Sequence, residues 1–120
     1  RDNFYADSGL ITLVHMLNIV TESSVPVSEL IKPLRRYFSS GELNFKVEDK
    51  DAKMNLLAKR YADAQIDWLD GVTVMYKDWW FNCRPSNTEP LLRLNVEAKN
   101  KNLLDEKLAE IEQLLGKPEN

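Results

Sequence analysis

Residues 79–98 read WWFNCRPSNTEPLLRLNVEA. Apolar and polar side chains alternate at both ends of this stretch, which is the period-2 pattern of two strands that each bury one face. The residues between them, 84–90, are polar or proline and predict a loop. The apolar side chains expected on the buried face are Trp79, Phe81, Cys83, Leu92, Leu94, Val96 and Ala98. The stretch therefore predicts two strands joined by a polar loop.

The flanking sequence adds further strands and helices. Residues 43–47 alternate between apolar and polar side chains, and the same period recurs in residues 72–76 after the turn signal Asp70-Gly71. Helical spacing follows Asp49, which is placed to cap a helix, and it returns near the C-terminus. The apolar positions of these helices are Met54, Leu57, Ala58, Tyr61, Leu104, Leu108, Ile111 and Leu115. This order predicts an α+β fold, with a mostly antiparallel four-stranded sheet and two helices on one face.

The N-terminal residues show helical periodicity alone. Ser8 to about Val20 is predicted to form a helix, and a short second helix opens at Ser28 and is limited by Pro33. These two helices have few apolar partners in the chain, so we expect them to be left over from a preceding domain and to be followed by a hinge near residues 37–40. We therefore predict a division of the chain into two parts, and, because it starts without Met, a fragment of a longer protein. The two parts are residues 1–37 and residues 38–120.

The charge balance limits the expected partners. The chain has 120 residues with 16 Lys and Arg against 19 Asp and Glu, a net charge of −3. No bulk positive field attracts nucleic acid or an anionic membrane surface, so neither is expected as a partner. No apolar run reaches the roughly 20 residues of a membrane-spanning helix. The single cysteine, Cys83, cannot form an internal disulfide, which favours a reducing, cytoplasmic compartment.

The polar loop carries residue types suited to an oxyanion. Arg84 offers a guanidinium fork, Ser86 and Thr88 offer hydroxyl donors, and Asn87 offers an amide. Backbone amides in a turn between two prolines add further donors. The same residues are also common in plain hairpin loops. The chemistry alone leaves both interpretations open.

A family resemblance favours the first interpretation. Residues 81–98 resemble the phosphate-binding signature in the C-terminal, fourth domain of the α-D-phosphohexomutases. Asn87 resembles the phosphomannomutase and phosphoglucomutase branch of that family more than the phosphoglucosamine branch. Residues 37–45, YFSSGELNF, are similar to the entry into that domain, and residues 1–9, RDNFYADSG, are similar to the end of the third domain. The resemblance thus implies a helical remnant of the third, sugar-binding domain followed by the phosphate-binding domain.

The resemblance implies an intramolecular phosphotransferase, an isomerase of hexose phosphates. In the family mechanism an enzyme phosphoserine donates its phosphoryl group to a hexose monophosphate, and the resulting bisphosphate reorients and returns the other phosphate. The C-terminal domain binds the phosphate that is not transferred. The positions that match its phosphate ligands are Arg84, Ser86, Asn87 and Thr88. The positions assigned to loop shaping are Pro85, Glu89, Pro90 and Arg93, with Glu89 expected to orient an arginine.

The family places its serine loop, its metal-binding aspartates and its sugar-selecting loop in upstream domains. We therefore expect no catalytic residue, no metal ligand and no bound cofactor in this fragment, and no mutase activity from it alone. Mg²⁺ and a hexose 1,6-bisphosphate activator are expected in the full-length enzyme. The expected partners are the upstream domains and a hexose phosphate. The alternative is a non-catalytic domain of the same fold that binds a phosphate ligand or a protein.

Four other candidates have simpler interpretations. His15 is expected on a helix flank, and Cys83 is expected to be an inert thiol of the core. The acidic run at residues 48–51 is expected to cap a helix rather than bind calcium, because it lacks the later Gly and the closing Glu of a calcium loop. Alternation places Trp79 in the core, and it leaves open whether Trp80 stacks on a sugar.

Overall fold

The computed structural model describes residues 7–119. They fall into two compact units, which are divided between Arg36 and Tyr37. The first unit is helical, and the second contains the sheet with its own helices. The origin of the first unit in a preceding domain stays a prediction.

The first unit consists of short helical segments. Helix α1 spans Gly9–Glu22, and the hydroxyl of Ser8 caps it by accepting a backbone hydrogen bond from its first turn. Helix α2 spans Val27–Ile31 and continues as a 3₁₀ helix over Lys32–Leu34. None of the described residues of this unit is buried. No single described helix is long and apolar enough to cross a membrane; only α1 together with residues 27–34 meets that test, and the chain bends by 109° between them.

The second unit contains a five-stranded sheet and two helices. The strands are β1 Phe38–Lys46, β2 Gln65–Asp67, β3 Val72–Met75, β4 Trp79–Pro85 and β5 Leu91–Ala98. Helix α3 spans Lys50–Arg60 and helix α4 spans Lys101–Leu115. The strand order is β1-β5-β4-β3-β2, and every neighbouring pair is antiparallel. The α+β class and the antiparallel sheet are therefore confirmed.

Side-chain caps fix where the two helices of the second unit begin. The carboxylate of Asp49 accepts a hydrogen bond of 2.9 Å from the amide of Ala52, as its position predicted. Asn100 caps α4 in the same way through the amide of Leu103, also at 2.9 Å. Each helix starts a few residues after a strand ends and packs against the sheet.

One face of the sheet forms the core together with α3 and α4. Alternate residues of β3, β4 and β5 are buried, as the period-2 pattern predicted, and both helices contact this face and each other. The buried apolar residues are Phe45, Val47, Met54, Leu57, Tyr61, Val72, Val74, Trp79, Phe81, Cys83, Leu92, Leu94, Val96, Ala98, Leu104, Ile111 and Leu115. The opposite face carries polar side chains, and the register places Arg84 directly opposite Arg93 on it.

The structure corrects two details of the sequence prediction. The predicted four-stranded sheet has a fifth strand, β2, whose three residues are too few to show a period of two. The predicted hinge at residues 37–40 lies largely inside β1, where Phe38 pairs with Ala98. A register shift between Ser39 and Glu42 interrupts β1, so the local irregularity is a bulge in a paired strand.

We expect hydrogen exchange to divide the chain at the boundary between the two units. Every buried residue of the described chain lies in the second unit, so the hydrogen-bonded amides of its buried strands exchange only through large-scale unfolding. The amides of α1 have no buried apolar face to protect them and are expected to exchange far faster. Exchange rates measured by NMR check this, and equal protection of α1 and β4 would contradict it.

Candidate functional site

The polar loop lies at one end of the sheet, between β4 and β5. The amide of Ser86 donates a hydrogen bond of 2.8 Å to the carbonyl of Leu91, which closes the loop, and Ser86 is only 5% exposed. Beside the loop is an open cleft of about 330 Å³. The residues that line it are Leu69, Asp70, Gly71, Arg84, Pro85, Ser86, Asn87, Thr88 and Arg93. All four predicted phosphate ligands therefore face one cleft.

Two arginines stand next to each other on adjacent strands in this cleft. Arg84 and Arg93 are direct partners across β4 and β5, a placement at which like charges repel. The carboxylate of Glu42 lies between them, with one oxygen 3.3 Å from Arg84 Nη2 and the other 3.7 Å from Arg93 Nη1. Asp70 Oδ2 lies 3.4 Å from Arg84 Nη1. The carboxylates therefore offset the repulsion and hold both guanidinium groups at the cleft.

The guanidinium groups keep unused hydrogen-bonding capacity. An arginine has five N–H donors, and the contacts of Arg84 to Glu42 and Asp70 are at the long end of the hydrogen-bonding range. Arg93 Nη2 lies 3.5 Å from the hydroxyl oxygen of Ser86. The Nε atoms of both arginines are buried and have no acceptor among the described residues. The two guanidinium groups are therefore held in place, but their N–H donors have only long contacts or, within the described part of the chain, no acceptor at all.

A lysine holds the loop from another element. Lys50, the first residue of α3, donates through Nζ to the carbonyl oxygen of Ser86 at 3.0 Å and to that of Glu89 at 2.8 Å. These two carbonyls lie at the two ends of the loop. Lys50 itself is not among the residues that line the cleft.

Gly71 brings a second segment against β4. Its φ of +68° is in the left-handed region, which favours glycine. A Cβ atom at this position would overlap the carbonyl oxygen of Cys83 and would lie 2.6 Å from Arg84 Cα. The missing side chain thus lets the Asp70-Gly71 turn lie against the backbone that carries Arg84.

The loop-shaping residues are placed in different ways. Pro85 lines the cleft at the end of β4, and Pro90 directly precedes β5. Arg93 lines the cleft as well, beside the predicted ligands. Glu89 was expected to orient an arginine, but the acids in contact with the arginines are Glu42 and Asp70. The contact given for Glu89 is through its backbone carbonyl, to Lys50.

Sequence reasoning missed several residues that build the site. They are Glu42, Lys50, Leu69, Asp70 and Gly71. Asp70 and Gly71 were noted only as a turn signal, and Glu42 only as part of the segment that resembles the entry into the family's domain. For Lys50 the sequence offered no signal, because its partners are carbonyl groups 36 and 39 residues away.

Of the other candidates in the second unit, Cys83, Trp79 and Trp80 are not among the residues that line the cleft. Cys83 is fully buried, and this burial raises the pKa of its thiol to about 12, as expected of an inert core residue. Trp79 is buried, as predicted, whereas Trp80 is half-buried on the opposite face and donates through Nε1 to Glu97 at 3.2 Å. His15 lies in α1. Within residues 7–119, no group of three or more His, Cys, Asp or Glu side chains is arranged to hold a metal ion.

Comparison with known families and structures agrees with this architecture. Residues 42–114 match the family described as phosphoglucomutase/phosphomannomutase, C-terminal domain. This match covers more than half of the chain, which therefore belongs to the phosphoglucomutase/phosphomannomutase family. The match to the C-terminal domain confirms the predicted resemblance, and it includes both the cleft arginines and Lys50.

Individual relatives extend the similarity over most of the chain. A phosphomannomutase of Methanocaldococcus jannaschii is 42% identical over 113 residues, which are 94% of this chain and 25% of that protein. A protein of Xanthomonas campestris named phosphohexose mutases is 39% identical over 119 residues, 96% of this chain and 27% of that protein. The chain thus spans about a quarter of the length of these curated relatives.

A solved structure shows the same fold. The crystal structure of a phosphoglucomutase/phosphomannomutase family protein from Burkholderia thailandensis matches with a TM-score of 0.70 and 30% sequence identity. The match covers 96% of this chain and 25% of that protein. The likeness therefore extends to the first unit as well as the second.

Proposed function

We propose that this chain binds the non-transferred phosphate of a hexose phosphate, as the C-terminal part of a phosphomannomutase or phosphoglucomutase. The observation that carries the proposal is that one cleft is lined by Arg84, Ser86, Asn87, Thr88 and Arg93, with Arg93 Nη2 3.5 Å from the hydroxyl oxygen of Ser86. One guanidinium group can donate two parallel hydrogen bonds to two phosphate oxygens, and neutral N–H and O–H donors can bind the remaining oxygens.

The charges of the site favour an anion that can replace the contacts of the two arginines with the carboxylates of Glu42 and Asp70. Arg84 contacts Glu42 and Asp70, and Arg93 contacts Glu42; these contacts are long and partly exposed to solvent. Exposed ion pairs of this kind contribute little, about 0–1 kcal/mol each. A phosphate dianion offers more oxygen acceptors than one carboxylate, so it can engage both arginines together with the loop donors.

The proposed role in catalysis is positional. Phosphoryl transfer depends mainly on orientation and on electrostatic stabilisation of the transferred group. A site that holds one phosphate while the other reacts supplies orientation without a nucleophile. The nucleophilic serine, Mg²⁺ and the bisphosphate activator are proposed for the rest of the full-length enzyme, as the family resemblance implies.

The proposal is tested by an NMR titration of the 120-residue chain with inorganic phosphate. One water-exposed site without the rest of the enzyme is expected to bind with a dissociation constant around 1 mM, about −4 kcal/mol. The amides of Ser86, Asn87 and Thr88 should shift first, and sulfate should compete. Sodium chloride at matched ionic strength is the control.

Two outcomes would contradict the proposal. Shifts centred on Trp80 or His15 would place the ligand elsewhere, and the absence of any saturable shift would remove the anion site.

Assays of the chain with mannose 1-phosphate and glucose 1-phosphate should show no turnover. The same assays on the full-length protein, with Mg²⁺ and a hexose bisphosphate, should show interconversion with the corresponding 6-phosphates.

A further inference from the structure

We infer that Lys50 is a positioning residue of the proposed phosphate site, because it fixes the loop backbone so that the Asn87 amide is available to the anion. This inference rests on the proposed function and adds to it a residue outside the loop and outside the cleft lining. Lys50 is argued to act through the loop backbone and not by contact with the phosphate.

Lys50 holds the loop at two points. One ammonium group donates to the carbonyl oxygens of Ser86 and Glu89, at 3.0 and 2.8 Å. These carbonyls are three residues apart, so the contact ties the start of the loop to its end. Hydrogen bonds from a charged donor are roughly twice as strong as neutral ones. A loop held at two points from α3 therefore keeps its shape before any ligand arrives.

The contact with Lys50 also fixes the direction of the backbone groups in the loop. In a trans peptide the C=O and the following N–H point in opposite directions, and the described chain has no cis peptide bonds. The Ser86 carbonyl points to Lys50, so the N–H of Asn87 points away from Lys50. Asn87 lines the cleft and Lys50 does not. The contact thus turns one backbone donor away from the helix and leaves it available on the cleft side of the loop.

The charge of Lys50 also favours an anion at the loop. The cleft arginines are in contact with Glu42 and Asp70, which offset their positive charge. Lys50 forms no ion pair with a carboxylate in the described part of the chain; its acceptors are neutral carbonyls. Its positive charge therefore lies at the two loop carbonyls that it contacts. Because the intervening peptides are aligned by this charge, their dipoles add to the attraction for an anion on the other side.

The test compares two lysines of the same helix. Lys53 also belongs to α3 and also donates through Nζ to a carbonyl, that of Leu114 at 2.5 Å, but this partner is in α4 and not in the loop. Lys50→Met and Lys53→Met remove the same charge and the same kind of hydrogen bond. In phosphate titrations followed by NMR, Lys50→Met is expected to raise the dissociation constant about tenfold, and Lys53→Met less than about twofold.

Two further readouts separate positioning from general stability. The Asn87 amide resonance of ligand-free Lys50→Met should move and should exchange faster with solvent, while that of Lys53→Met should not. Lys50→Arg keeps a charged donor and should recover most of the affinity. Should Lys50→Met fail to fold, Lys50→Gln, which keeps an N–H donor without the charge, supplies the same comparison and is expected to bind about threefold to tenfold more weakly than the parent chain.

The possible failures are distinguishable. If phosphate does not shift the loop amides of the parent chain, the proposed function fails. If the parent chain binds phosphate at the loop and Lys50→Met binds it equally well, the inference about Lys50 is overturned and the proposed function stands. Equal weakening by Lys50→Met and Lys53→Met would also overturn it, because the effect would then be one of overall charge.

Discussion

A Gly71→Ala variant is expected to lose about 2–5 kcal/mol of unfolding free energy, because two separate costs add at this position. An L-residue at a φ of +68° costs roughly 1–2 kcal/mol. The added methyl group overlaps the backbone of Cys83 and Arg84, and overpacking of this kind costs roughly 1–3 kcal/mol. For a unit of this size the melting temperature should fall by more than about 10 °C, measured by circular dichroism or calorimetry.

Gly41 provides a matched control for this prediction. Its φ is also +68°, but a Cβ atom placed on it has no atom within 4 Å. Gly41→Ala therefore carries the conformational cost alone, about 1–2 kcal/mol. If the two variants are equally destabilised, the close approach between the turn and β4 contributes nothing. Relief of the overlap must also move Arg84, so Gly71→Ala should weaken phosphate binding while Gly41→Ala should not.

An Arg84→Ala variant is expected to bind phosphate about 10- to 100-fold more weakly, corresponding to roughly 1.5–3 kcal/mol for a charge-assisted contact. The upper end is favoured because the substitution also leaves Glu42 and Asp70 without their shared cation, and both then repel the ligand. In the full-length enzyme the same loss should appear in kcat/KM. Arg84 lies near the end of β4 with its side chain about one-third exposed, so the fold should survive.

Two variants separate charge from geometry in the Arg84 experiment. Arg84→Lys keeps the charge but loses the planar fork, and it should recover only part of the affinity. Arg60→Ala removes an equal charge at the end of α3, where the guanidinium lies over the ring of Tyr61, and it should bind phosphate normally. An Arg84→Ala chain with unchanged phosphate affinity, or a full-length variant with unchanged kcat/KM, would exclude Arg84 from the site.

Most of the second unit could be predicted because its sequence pattern is local. The buried positions of β4 and β5 alternate without interruption, so the sequence identified both their faces and the loop between them. Asp49 and Gly116 mark helix ends by residue type alone. Strand β2 escaped prediction because three residues at a sheet edge are specified by pairing with β3, and pairing partners are not visible in a local pattern.

Only the part of the candidate site that is contiguous in the sequence could be predicted. The four predicted ligands reach one cleft because they are neighbours in the sequence, with Arg84 near the end of β4 and the other three in the loop that follows. Glu42, Lys50 and Asp70 reach the same place through folding, from β1, α3 and the turn before β3. Long-range contacts of this kind leave no spacing in the sequence. The role expected of Glu89 was therefore assigned to the nearest acid in the chain, whereas Glu42 in fact contacts both arginines.

Because Lys50 holds the loop from α3, the loop sequence alone is not expected to reproduce the proposed site in another protein. A peptide of residues 84–90, or the same residues grafted onto another hairpin, would carry every proposed ligand of the loop. Such a graft would lack Arg93, the lysine that holds the loop and the glutamate that contacts both arginines, so its carbonyls and its one guanidinium group would sample many orientations. Ordering them on binding would oppose affinity by about 1–2 kcal/mol for each residue fixed. To reproduce this anion site in another protein, β1, the start of α3, the turn before β3 and β5 with Arg93 have to be included along with the loop.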